Sequence, residues 1–140
     1  MKVSRYVMAV TASLLHVCNA SAQSEIAEAR QDFLDLCADC HNADAQGNGP
    51  LAKNLTKAPP DLTRIKQRAN GIFDERAVYD HIIGLNMADA HGSREMPIWG
   101  DWLMDDEALE GDTSVDAVER EIERRIMGIV DYLKSLQVDE

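Results

Sequence analysis

Cys37-Ala38-Asp39-Cys40-His41 is the stretch on which the reading of this chain turns. Two thiols two residues apart, followed at once by an imidazole, suit covalent attachment of a c-type haem. Each thiol adds to one vinyl group and the histidine binds the iron. The same string admits a zinc half-site or a redox-active dithiol. A zinc site needs more ligands, and His81 and His91 remain for that role without a second cysteine pair. A dithiol oxidoreductase sets its pair at a helix start after a strand. Here the pair ends a helical pattern: Ile26, Ala29, Phe33, Leu36 and Cys40 recur at spacings of three and four.

Upstream of that helix, residues 1–22 read as a cleaved secretory signal. Lys2 and Arg5 give a positive start, Tyr6 to Val17 is mostly apolar, and Ala20-Ser21-Ala22 supplies the small residues of a cleavage site. The apolar run is shorter than the roughly 20 residues a spanning helix needs. Cys18 follows His16 and Val17, not the small residues of a lipid-attachment site, so it leaves with the signal. The mature chain, 23–140, is then one domain whose only cysteines are Cys37 and Cys40. Export fits the haem reading, because c-type attachment takes place outside the membrane; the expected location is the periplasm.

Downstream, the patterning is helical throughout and the expected class is all-α. Ser24 is placed to cap the first helix. Gly47-Asn48-Gly49-Pro50 reads as a turn, and Pro59-Pro60 as a stop before a short helical stretch near Leu62 to Ala69. Asp74 caps a helix running to about Ile83 and ending at Gly84, with Phe73 and Val78 spaced as a hydrophobic staple. Residues 85–102 lack a period and read as loop; residues 101–113 form a long acidic stretch expected to be a mobile linker. Thr113 and Asp116 have capping-box spacing before a long last helix, whose stripe is Val118, Ile122, Ile126, Ile129, Leu133 and Leu136. Such a chain builds only a modest core alone, and a flat apolar haem would fill it.

The sixth iron ligand decides between electron transfer and small-molecule binding. Met96 is the leading candidate. Pro97 after it forces extended backbone, which projects the side chain from a stiff loop, and Trp99 with Gly100 adds an aromatic wall and a turn. His91, five residues earlier, and His81, on a helix, are the rivals; Met87, Met104 and Met127 are the other methionines of the mature chain.

The combination of Cys37-Ala38-Asp39-Cys40-His41, Gly47-Asn48-Gly49-Pro50, Met96-Pro97-Ile98-Trp99-Gly100 and a closing helix ending Val130-Asp131-Tyr132-Leu133-Lys134-Ser135-Leu136-Gln137 resembles bacterial class I cytochromes c. The resemblance spans nearly all of residues 24–137. It implies the cytochrome c fold, helices and loops wrapped around one covalent haem c, with first and last helices crossing and Phe33 and Tyr132 as the matching aromatics. It implies His41 and Met96 as axial ligands, and the Pro50 carbonyl as acceptor of the other His41 ring proton. The acidic stretch 101–113 departs from the family pattern.

These expectations make the chain a one-electron carrier, not an enzyme, with periplasmic or membrane-bound redox proteins as donor and acceptor. No small-molecule substrate is expected, and a monomer is. Two alternatives are an open-site haem protein with a peroxidatic or gas-binding role, and a dedicated electron-transfer subunit of a dehydrogenase or oxidase complex. Removing residues 1–22 leaves 12 basic against 25 acidic residues, a net charge of −13, which argues against nucleic acid as a partner. Charge is uneven: −5 over residues 23–52, +3 over 53–76 and −11 over 77–140. Such a run is either a solvated face or a dipole that orients the protein before docking.

Overall fold

The computed structural model describes residues 23–85, 96–104 and 114–138, with the backbone alone for Asp101, Trp102 and Met104. The expected signal segment, Met87, His91 and residues 105–113 lie outside the described residues. Among these residues every regular element is helical, as the all-α reading expects. We label them α1 (23–36), α2 (Ala38–His41), α3 (Ile65–Arg68), α4 (Glu75–Ile82), α5 (Trp99–Met104) and α6 (Val115–Ser135). Single 3-10 turns occupy Ala52–Asn54 and Leu62–Arg64.

The frame is the contact between α1 and α6. Gly128 lets the two backbones approach: a Cβ there would lie 3.3 Å from the Cβ of Ala29. Beside it the rings of Phe33 and Tyr132 meet at 5.5 Å between centroids, tilted by 55°. Phe33, Ile126, Ile129 and Val130 are the largest wholly buried side chains. Truncating a phenyl group so placed costs about 3–5 kcal/mol. The α6 stripe is buried as its periodicity predicts, from Ile126 through Leu133. Charges close the edges of the contact, Arg125 pairing with Asp32 and Arg124 with Glu28, both at 2.7 Å.

Two smaller helices pack on α6. Asp74 caps α4, accepting from the Ala77 N–H at 3.0 Å, and Phe73 and Val78 both reach the core, as a staple requires. Helix α4 ends at Ile82, and Gly84 turns the chain with φ +81°. Ile98 packs over Gly84, where a Cβ would stand 3.0 Å from its Cγ1. Leu103 of α5 is buried in the same core.

Four local expectations need correction. Residues 23 and 24 are already helical, so Ser24 lies inside α1 and not before its first turn. Ile26 is 54% exposed; the buried face of α1 runs through Ala29, Asp32 and Phe33. The cap residue of α6 is Ser114, one position later than expected, its carbonyl accepting from Ala117 and Val118, and the Thr113 of the expected capping box lies outside the described residues. Finally, Trp99–Met104 is a helix, not loop or linker. Six residues with a glycine are too few to display a period, and burial of Leu103 stabilises the turn instead.

Candidate functional site

The cysteine motif sits where α1 breaks. Cys37 is the hinge residue: its amide still donates to Phe33 (2.9 Å), while its carbonyl accepts from both Cys40 (3.2 Å) and His41 (2.9 Å). The new turn, α2, puts Cys37 and Cys40 three residues apart on one turn, the arrangement that brings two side chains to one side. Both thiols are partly exposed and neither is in a disulfide. Cys37 therefore does stand at a helix start, contrary to the expectation that the pair only ends one. Its chemistry still speaks against a reactive dithiol. Burial, and then the Asp32 carboxylate and Cys40, push the Cys37 thiol up to about 12, whereas catalytic thiols are lowered.

A four-residue helix cannot satisfy its own last carbonyls. Here the following loop does so one by one. Asn42 donates to Ala38 (2.7 Å), Leu51 to Asp39 (2.8 Å), Gly49 to Cys40 (3.0 Å) and Gly47 to His41 (2.9 Å). The loop can lie this close only without side chains at two points. A Cβ on Gly49 would be 2.5 Å from the Asp39 oxygen and 2.6 Å from that of Ala38; one on Gly47, at φ +79°, would be 2.2 Å from the Pro59 oxygen. Asn42, itself at φ +64°, braces the turn by accepting from the Ala43 amide and donating to Asn48, both at 2.8 Å.

His41 is buried, 8% exposed, and its Nδ1 lies 3.3 Å from the Pro60 carbonyl oxygen. A carbonyl can only accept, so Nδ1 carries the proton and Nε2 keeps the lone pair, the form a metal needs. Burial lowers the imidazole's affinity for a second proton, and the bond to Pro60 opposes this only in part, so the neutral ring is favoured. The resemblance implied Pro50 for this role, and the structure replaces it with Pro60. Pro50 is exposed in the turn that carries the loop back over α2. Pro60 arrives because the Leu62 amide bonds the buried Ala45 carbonyl at 2.7 Å, folding the Pro59-Pro60 pair against the motif.

Met96 and Trp99 are partly buried and pack, like Cys37, against the central cluster that contains Phe33, Ile126 and Tyr132. The candidate thioether ligand and a motif cysteine thus border one core. His81 is exposed near the end of α4. Among the described residues no three His, Cys, Asp or Glu side chains gather as a metal cage.

Sequence reasoning missed the role of Pro60 as acceptor for His41, the bonds made by Gln137, and the pairing of Asp32 with Arg125. Gln137 donates to the Leu62 (2.8 Å) and Leu133 carbonyls (2.8 Å) and accepts from the Lys66 amide (2.9 Å), bolting the segment after Pro60 to the end of α6. A glutamine beside the apolar stripe of the last helix was the available signal. Comparison with protein-family models, curated proteins and solved structures finds no match to this chain.

Proposed function

We propose that this chain is an exported mono-haem c-type cytochrome, of cytochrome c fold, that carries one electron at a time between redox proteins in the periplasm. One observation carries the proposal. The Cys-x-x-Cys-His turn holds two uncommitted thiols beside a buried histidine whose Nδ1 is engaged by Pro60, leaving Nε2 as the metal-binding nitrogen. Cys37 and Cys40 would hold the haem through thioethers, and His41 and Met96 would ligate its iron, with Trp99 contributing to the apolar site around it. When bound, haem supplies the Fe(III)/Fe(II) couple, with a methionine ligand favouring the reduced state relative to a second histidine. The protein's part is to keep His41 in one tautomer, to exclude water, and to hold both ligands through the redox change.

The test is an absorption spectrum of the haem-loaded mature protein, ferric and ferrous, with and without carbon monoxide. Low-spin spectra, a ferric thioether-to-iron charge-transfer band that disappears in Met96→Ala, and indifference to carbon monoxide are expected. A high-spin spectrum that shifts promptly with carbon monoxide would remove the carrier function and leave an open-site protein.

A further inference from the structure

Arg125 and Asp32 form a largely enclosed ion pair. The guanidinium meets the carboxylate with two nitrogens, Nη2 at 2.7 Å from Oδ1 and Nε at 3.3 Å from Oδ2, with side chains only 17% and 11% exposed. Arg124, one residue earlier, is half exposed and pairs with Glu28 and Glu121 instead. The Asp32 pair sits at the α1–α6 contact, next to Phe33, whose carbonyl holds the Cys37 amide. Its field reaches the motif: the Asp32 carboxylate is one of the charges that oppose ionisation of Cys37.

An exposed pair of this kind would be screened and would matter little. An enclosed one is different, because each charge is felt at longer range where water is excluded. At a haem bound beside the motif the two opposite charges would offset one another; either alone would not. We propose that the Asp32–Arg125 pair sets the reduction potential of the haem, by cancelling a buried negative charge that would otherwise favour the ferric state. This rests on the haem function proposed above and concerns residues that contact neither the iron nor its ligands. The reaction followed is the one-electron couple, Fe(III) plus an electron from a chemical mediator giving Fe(II).

The experiment is potentiometric titration of four haem-loaded variants beside the wild type. Arg125→Met leaves the buried carboxylate and should lower the ferrous-to-ferric ratio at fixed potential about tenfold, some 59 mV for one electron. Asp32→Asn leaves the guanidinium and should raise the ratio by a similar factor. The double variant and Arg125→Lys, which restore neutrality or charge, should both return within about twofold of wild type. A merely structural pair would destabilise the fold in either single variant without giving potentials of opposite sign. Shifts in the same direction, or below twofold, overturn the proposal. If Arg125→Met does not fold, Asp32→Asn and the double variant still decide the sign. Wild-type protein whose mass shows no covalent haem would overturn the proposal together with the function beneath it, a result distinct from haem-loaded variants with unmoved potentials.

Discussion

Gly49→Ala is the sharpest test of the loop that closes the cysteine motif. The added methyl carbon would stand 2.5 Å from the Asp39 oxygen, 2.6 Å from the Ala38 oxygen and 2.7 Å from the Cys40 carbonyl carbon. All three are backbone atoms, so no side chain can swing aside, and ordinary contact at 3.4 Å or more requires the loop to retreat by roughly 1 Å. The Gly47, Gly49 and Leu51 amides, bonded at 2.8 to 3.0 Å, cannot all follow. Three hydrogen bonds at ~1 kcal/mol each put the loss near 3 kcal/mol. Gly100→Ala is the control. It lies in helix α5 with nothing within 4 Å of the new carbon, so stability should be unchanged or rise by up to about 1 kcal/mol. Urea unfolding followed by circular dichroism measures both. A Gly49→Ala loss under about 1 kcal/mol, or equal effects of the two variants, would refute the close approach.

Gln137→Leu should cost about 1–3 kcal/mol in the same assay, since it leaves the Lys66 amide and the Leu62 carbonyl without the partner they have now; a neutral result would mean that water replaces the bolt. The Thr63 hydroxyl, donating to Asp61 at 2.6 Å, holds that carboxyl below the usual carboxylate range. A lowered folded-state pKa adds stability above the unfolded value of about 3.9 and loses it as pH falls through the folded value. The stability difference between wild type and Asp61→Asn, measured against pH, should therefore shrink below about pH 4; a constant difference would deny the shift. If the proposed haem is bound through the two thiols, Cys37→Ser/Cys40→Ser should be at least about 2 kcal/mol less stable than the haem-loaded protein in thermal unfolding. Equal melting of the two forms would count against a haem built into the folded core.

Legibility followed the range of the interaction. Helix α4 was readable to its ends because its signals are local: the Asp74 cap, the Phe73–Val78 staple and the positive φ of Gly84 all lie within a dozen residues. The α6 stripe was readable because 21 residues repeat the pattern several times. Exposure of Ile26 was not, since periodicity marks a face without saying how far the partner helix extends along it. Helix α5 was too short to show a period. At the site, Cys37, Cys40 and His41 stand in sequence, but the acceptor for His41 does not. The nearer Pro50 fitted the resemblance, and only the Ala45–Leu62 bond makes the more distant Pro60 the neighbour.

That bond shows why the histidine's chemistry is a property of the whole chain and not of five residues. An isolated motif would leave His41 in water, free to exchange tautomers and to protonate near its unperturbed pKa of about 6.5. Here the ring is buried and faces the Pro60 carbonyl, whose position has two supports from segments far apart in the sequence. Ala45 holds Leu62 from the loop that caps α2, and Gln137 holds it from beyond α6. Helix α6 is in turn fixed to α1 by Gly128, Tyr132 and Arg125, and α1 ends at Cys37. The constraints close a ring of contacts that begins and ends at the motif. A change far from His41 in sequence, at Gln137 or Gly128, therefore acts on the orientation of its lone pair through backbone position, without touching the imidazole itself.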